Sequence, residues 1–222
     1  PSPDYPDHWE SHYLKALITR CGGLDLTTLS ASEAAADTLA IDAVFTTLYL
    51  ENVSRTESEA VADVLRSASS RQKGHDADKR EMAQSEKERL PITATEAVAG
   101  VRRLVILGQP GGGKSTLVNH ITTQLARQRR GDAGVNLRDW PTAYSPLPVR
   151  IVLRRFADWL TREKRRGETG DVWDYLAYLL GRWGCSDSYN GLRQTLITEG
   201  GVFFFDTADE IRDVAMRRAV IK

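Results

Sequence analysis

The sequence predicts a three-layer α/β fold, in which helices cover both faces of a parallel sheet. Apolar runs at residues 104–107, 149–153 and 202–205, of which the second is interrupted by Arg150, are typical of strands that are buried on both sides. Between these runs, apolar residues recur at helical spacing, which predicts helices at residues 114–127, 172–180 and 192–197. Because helices separate the strands along the chain, they act as crossover connections, which place successive strands in parallel.

The composition is that of a globular chain with balanced charge. Its 222 residues include 30 lysines and arginines and 30 aspartates and glutamates, so the overall charge does not indicate a nucleic-acid partner. No apolar run approaches the ~20 residues of a membrane span and no signal-peptide pattern opens the chain, which favours a cytoplasmic protein. Cys21 and Cys185 lack partners at metal-ligand spacing, so we expect buried core thiols rather than a disulfide or a zinc site.

Changes in composition divide the chain into three parts, residues 1–52, 53–90 and 91–222. The first part, which precedes the core, begins with an apolar helical face, and residues 41–50 favour a strand over a helix because they are rich in β-branched and aromatic residues. The second part is rich in Ser, Glu, Lys and Arg, which predicts a charged mobile insertion. The third part contains the α/β core. The N-terminal helical face comprises Tyr13, Leu14, Leu17 and Ile18.

A glycine-rich loop lies between the first predicted strand and the first predicted helix of the core. It matches the pattern G-x-x-x-x-G-K-[ST] in full, and in this context the pattern predicts a P-loop NTPase rather than a glycine-rich turn without a ligand. The glycines let successive backbone N–H groups point at phosphate oxygens, and the helix N-terminus adds the positive end of its dipole. The candidate nucleotide-binding residues are Gly108, Gln109, Pro110, Gly111, Gly112, Gly113, Lys114, Ser115 and Thr116.

Two side chains of this loop have distinct chemical roles. Lys114 is a mobile positive charge for the β- and γ-phosphates of ATP or ADP, which makes it a candidate catalytic residue. The Ser115 hydroxyl is a candidate ligand of Mg²⁺. Thr116 lies where the α-phosphate is expected.

A second acidic motif ends the last predicted strand. Asp206 follows four apolar residues, as in a Walker B motif, whose carboxylate orients the water shell of Mg²⁺. Ser115 and Asp206 are therefore the predicted metal ligands. Asp209 and Glu210 are candidate catalytic residues, because an acid close to the phosphates can polarise the attacking water. The alternative is that these two acids only cap the helix that follows.

Three stretches of the sequence, residues 104–117, 147–156 and 202–211, resemble the NACHT domain, a branch of the signal-transducing (STAND) P-loop ATPases. In that family the Walker B aspartate is followed by two small residues and an Asp-Glu pair, which matches Asp209 and Glu210. The resemblance implies an AAA-like order of strands. In that order a sensor strand, which comes later in the sequence, lies between the strands that lead to the glycine loop and to the Walker B aspartate.

The resemblance also has consequences for individual residues. Thr207 occupies a position where the family usually has glycine, and a hydroxyl there affects hydrolysis more than nucleotide binding. Arg154 is implied to pack or pair near the core sheet, with a solvated arginine at the strand end as the alternative. The adenine pocket is expected around residues 92–98 and the N-terminal helix.

The function implied by the resemblance is a molecular switch. It binds Mg²⁺ with ATP or ADP, hydrolyses ATP slowly and forms a homo-oligomer on activation, with sensor and effector domains outside these residues. The alternatives are a remodelling ATPase with steady turnover and a nucleotide-binding scaffold that does not hydrolyse. The sequence Asn-Lys-x-Asp, which reads guanine, does not occur. We expect the native chain to continue beyond Lys222, and these residues alone to be prone to aggregation.

A small-molecule kinase with an arginine-rich lid is a further alternative. The basic residues between the second and third predicted strands are Arg162, Lys164, Arg165 and Arg166. They alternate with acids in a polar segment, which favours a solvated charge run over a lid.

Overall fold

The computed structural model of the chain describes residues 8–24, 39–41, 45, 47–50, 92–135, 137, 140–141, 145–208 and 211. Its helices are α1 (Trp9–Cys21), α2 (Ala94–Gly100), α3 (Lys114–Arg130), α4 (Leu153–Arg162), α5 (Thr169–Trp183) and α6 (Tyr189–Thr198), and a 3₁₀ helix spans Ser186–Ser188. Its strands are β1 (Gly23–Leu24), β2 (Leu39–Ala40), β3 (Tyr49–Leu50), β4 (Ile92–Thr93), β5 (Leu147–Val152) and β6 (Gly201–Asp206). The predicted insertion at residues 53–90 lies outside the described residues, as do Asp209 and Glu210.

The chain forms two compact units. The first comprises residues 1–45, 113–136 and 143–222, and the second comprises residues 46–112 and 137–142. Within the second unit, β3 and β4 pair in antiparallel orientation, and α2 begins directly after β4. The Thr93 side chain caps α2 by accepting a hydrogen bond from the Glu96 N–H at 3.1 Å.

The first unit contains a parallel pair of strands, β5 and β6. Their register runs from Leu147 opposite Gly201 to Val152 opposite Asp206. A side chain at Gly201 would collide with the Leu147 carbonyl oxygen, 2.6 Å from the position of its Cβ, so glycine permits this close approach. The parallel direction agrees with the predicted crossover connection, since α4, α5 and α6 lie between the two strands in sequence. A third layer and further parallel strands remain predictions.

Helix α1 packs its predicted apolar face into the core of the first unit. Tyr13, Leu14 and Leu17 are buried there, and Ile18 is half-buried. The Tyr13 hydroxyl donates a hydrogen bond of 2.7 Å to the Pro148 carbonyl oxygen in β5. Burial raises the pKa of Tyr13, so the hydroxyl stays protonated and keeps this bond.

Helix α3 begins and ends at glycines with left-handed backbone conformation. Gly113 precedes it with φ of +78°, and Gly131 follows it with φ of +77°. At the C-terminus, the N–H groups of Gly131 and Asp132 bond to the carbonyls of Gln128 and Arg127, which satisfies the last turn. The helix predicted for residues 114–127 is confirmed and extends three residues further, to Arg130.

The prediction of a buried strand at residues 104–107 is wrong for the described structure. These residues belong to none of the described strands, and Val105 and Leu107 are 64% and 65% exposed. An apolar run indicates a tendency to be buried, whereas a strand also needs a hydrogen-bonded neighbour, and no described strand pairs with this segment.

Two further strand predictions need correction. Among the residues of 41–50 that the structure describes, only Tyr49–Leu50 is a strand. The N–H of Phe45 bonds to the Ile41 carbonyl at 2.9 Å, which is helical spacing. A high content of aromatic and β-branched residues indicates that the side chains pack well against neighbours. It does not determine whether the backbone forms a strand or a helix. Strand β6 was predicted to be buried on both faces. Phe204 and Asp206 on one face are buried, whereas Phe203 and Phe205 on the other face are exposed. None of the described helices is long and apolar enough to cross a membrane.

Candidate functional site

The start of α3 and the end of β6 meet in the first unit. Ser115, the second residue of α3, donates a hydrogen bond from Oγ to Oδ1 of Asp206 at 2.9 Å. Asp206 is the last residue of β6 and is only 5% exposed. The structure therefore brings together the two predicted metal ligands, although 91 residues separate them in sequence.

The other oxygen of the same carboxylate pairs with an arginine of β5. Arg150 Nη2 lies 2.8 Å from Asp206 Oδ2, and the Arg150 side chain is 18% exposed. Val152 lies opposite Asp206 in the parallel register, and Arg150 shares the face of Val152 because side chains alternate along a strand. Arg150 Nε is buried and has no hydrogen-bond partner among the residues that the structure describes.

Arg150 is the residue of this candidate site that the sequence analysis missed. The signal that could have identified it is a charged residue inside a predicted apolar strand. Such a residue needs a partner, because burying an unpaired charge costs much free energy. Arg154, which the NACHT resemblance singled out, is exposed in the first turn of α4.

The C-terminal end of α1 approaches the same group of charges. Burial raises the pKa of the Cys21 thiol, Arg150 opposes this rise through its charge and a hydrogen bond, and the charge of Asp206 adds to it. Cys21 is 1% exposed, and Cys185 is equally buried. The expectation that both cysteines are buried core thiols is confirmed. The residues around Asp206 thus come from four elements: α1, α3, β5 and β6.

The glycine loop is divided between the two units, and each part has its own geometry. Within the second unit, Gly111 has φ of +80°, and the Gly112 N–H bonds to the Gln109 carbonyl at 3.1 Å, which closes a tight turn. Within the first unit, Gly113 takes the left-handed conformation just described, and Lys114, Ser115 and Thr116 form the first turn of α3, all half-buried. Only glycine adopts both of these φ values without strain.

The residue after Asp206 has an unfavourable backbone conformation. Thr207 has φ of +63°, in the left-handed region, where β-branched residues are rare. Within the described part of the chain, its buried Oγ1 atom has no hydrogen-bond partner. The backbone at this position therefore suits the glycine that NACHT domains usually have there.

The basic run at the end of α4 and directly after it forms ion pairs with nearby acids. Arg165 Nη1 lies 3.0 Å from Asp171 and 2.7 Å from Asp174, and Arg162 lies 3.0 Å from Glu163. The Asp171 carboxylate also accepts hydrogen bonds from the N–H groups of Gly167 and Glu168, which precede α5. By pairing with Asp171, Arg165 stabilises the start of that helix. These contacts agree with a solvated charge run.

Comparison of the chain with family models, with curated proteins and with solved structures finds no match. The resemblance to NACHT domains therefore depends on the three sequence stretches that contain the motifs.

Proposed function

We propose that the chain is a P-loop NTPase of the NACHT type, which binds Mg²⁺ with ATP or ADP and acts as a switch with slow hydrolysis. The proposal includes the three-layer α/β fold that the sequence predicts. The observation that supports it best is the 2.9 Å hydrogen bond from Ser115 to Asp206, because it joins the predicted Walker A serine to the predicted Walker B aspartate.

The donor set fits a magnesium ion. Mg²⁺ prefers oxygen ligands such as hydroxyl, carboxylate and water. The Ser115 hydroxyl uses its proton in the bond to Asp206, so both of its lone pairs remain for a metal. Ser115 would ligate the ion directly, and Asp206 would hold Ser115 and the water shell in place. Bound Mg²⁺ would neutralise charge on the β- and γ-phosphates.

The start of α3 is suited to the phosphates. It follows Gly113 in the left-handed conformation, and the N–H groups at the N-terminus of a helix point outwards and can bind anions. Lys114 is the first residue of this helix and adds a full positive charge at the same end. Asp209 or Glu210 would polarise the attacking water, as the family pattern implies.

A nucleotide-binding scaffold without hydrolysis is the second candidate, and two observations favour it. Arg150 already balances the charge of Asp206, and Thr207 places a side chain where the family usually has none. Turnover separates the two candidates: a switch releases phosphate slowly from ATP, whereas a scaffold binds ATP and releases none. The proposal further includes a cytoplasmic location and a homo-oligomer that forms in the ATP state.

Calorimetry with ATP and Mg²⁺ tests the binding step. We expect Lys114→Ala to weaken ATP binding about 10- to 100-fold, because it removes charge-assisted contacts worth about 1.5–3 kcal/mol. Lys15→Ala is the matched control, since Lys15 is an exposed lysine on α1. Equal affinities of the parent and Lys114→Ala for ATP would rule out the nucleotide site.

A further inference from the structure

Two histidines and an aspartate bring three metal-ligating groups together at the N-terminal end of α1. His8 immediately precedes α1, His12 lies four residues further on, and Asp187 belongs to the 3₁₀ helix before α6. One ligand atom from each residue lies within 4.8 Å of the other two. We propose that these residues bind a zinc ion, independently of the nucleotide function proposed above.

The distances between the ligand atoms support a shared ion. Asp187 Oδ2 lies 3.4 Å from His12 Nδ1 and 3.8 Å from His8 Nε2. The first distance is long for a hydrogen bond and the second is beyond one. Ligands about 2.0–2.1 Å from a tetrahedral zinc ion lie about 3.3 Å from one another, which is close to both separations.

The helical spacing of the histidines also fits. Residues four apart lie on the same side of a helix, and two histidines at this spacing bind zinc in metalloproteases. Two imidazoles and one carboxylate suit zinc better than Mg²⁺ or Ca²⁺, which prefer oxygen alone. All three side chains are exposed, so a water molecule can take the fourth position.

The chain segments that contain the ligands are already held together. Ser188, next to Asp187, donates a buried hydrogen bond of 3.0 Å to the carbonyl oxygen of Trp9, next to His8. The Trp9 ring lies against Gly191 so closely that a Cβ atom there would overlap it. Little backbone ordering is therefore needed when the ion binds, which favours affinity.

Calorimetric titration of the full chain with zinc chloride, without nucleotide or Mg²⁺, tests the site. We expect one zinc ion per chain, and an affinity lowered at least about tenfold in each of His8→Ala, His12→Ala and Asp187→Asn. His75→Ala is the matched control for the loss of a histidine, and it should bind zinc as the parent does. Circular dichroism establishes that each variant is folded.

Two results would overturn the zinc site: a parent chain that does not bind zinc, and a folded His12→Ala variant with the affinity of the parent. Asp206→Asn distinguishes this site from the predicted Mg²⁺ site. If Asp206→Asn abolishes zinc binding while His12→Ala does not, zinc binds at Asp206 and the proposal fails. Retained zinc binding in Lys114→Ala would show that the zinc site does not depend on the nucleotide site.

Discussion

Arg150 Nη2 lies 2.8 Å from one carboxylate oxygen of Asp206, while Ser115 Oγ lies 2.9 Å from the other. The buried carboxylate thus has a cationic partner on β5 and a hydroxyl partner on α3. Because Asp206 is almost inaccessible to water, the pairing with Arg150 compensates a charge that would otherwise be buried at high cost.

Replacing Arg150 by Met keeps most of the side-chain volume and removes the charge. We expect Arg150→Met to lower the free energy of unfolding by about 3–5 kcal/mol in the absence of Mg²⁺, because Asp206 then lacks its cation. Under the proposed function, Mg²⁺ with ATP supplies a replacement charge, so ligand should raise the melting temperature of Arg150→Met more than that of the parent.

Two variants serve as controls for this experiment. Arg154→Met removes an exposed arginine of α4 and should change stability by less than about 0.5 kcal/mol. The double variant Arg150→Met with Asp206→Asn should be more stable than Arg150→Met alone, since no unpaired charge remains. A double variant that is less stable by the sum of both single effects would show that the two side chains do not interact.

Thr207→Gly should stabilise the chain. The left-handed backbone costs a non-glycine residue about 1–2 kcal/mol, and the buried hydroxyl of Thr207 has no partner in the described ranges. The greater flexibility of unfolded glycine offsets about 0.5–1 kcal/mol, which leaves a net gain of about 1 kcal/mol. Urea denaturation measures the difference.

Thr207→Ala separates the two contributions at this position. It removes the hydroxyl and the Cγ2 methyl but retains the Cβ atom, so the unsatisfied group is lost while the left-handed strain remains. If Thr207→Gly unfolds at a lower urea concentration than the parent, Thr207 is not strained in the native chain.

The variants Asp209→Asn and Glu210→Gln test whether these acids take part in ATP hydrolysis. We expect at least one of them to lower the rate of phosphate release from ATP by about 10²–10⁴, because it removes the group that polarises water. The affinity for ATP should change little in either variant. Parental rates in both variants would identify the two acids as helix caps.

Cys21 and Cys185 should react with Ellman's reagent only when the chain unfolds. Burial raises the pKa of both thiols, so less of each is present as the reactive thiolate at pH 7.5. At pH 7.5 the native chain should therefore react far more slowly than a small free thiol. Complete reaction within seconds in the native chain would contradict the buried position of these residues.

Local sequence patterns predicted the helices better than the sheets. Apolar spacing along α1, α3, α5 and α6 follows from the geometry of a single helix, so it can be read from neighbouring residues. Strand pairing is not local, and the four apolar residues at 104–107 could not indicate whether a partner strand lies beside them. Helix α4 was missed because its first residue, Leu153, also ends the apolar run that was predicted as a strand.

The candidate site shows the same difference between features that are local in the sequence and features that are not. The glycine loop and the acidic motif could be predicted because each is a continuous sequence with its own chemistry. The pairing of Arg150 with Asp206 depends on the register between β5 and β6, which the sequence does not specify. The grouping of His8 and His12 with Asp187 depends on contacts between α1 and a segment more than 170 residues away, as the separation of 175 residues between His12 and Asp187 shows.

The docking of α1 has a consequence for the order of events during synthesis. Its partners are made late, since Pro148 follows Tyr13 by 135 residues and Ser188 follows Trp9 by 179 residues. At about 5–20 residues per second, a ribosome needs roughly 10–35 s to produce the longer of these stretches. The apolar side of α1 therefore remains without part of its native cover in the nascent chain, where chaperones can bind it. Its hydrogen bonds to Pro148 and Ser188 form only after most of the described chain has been translated.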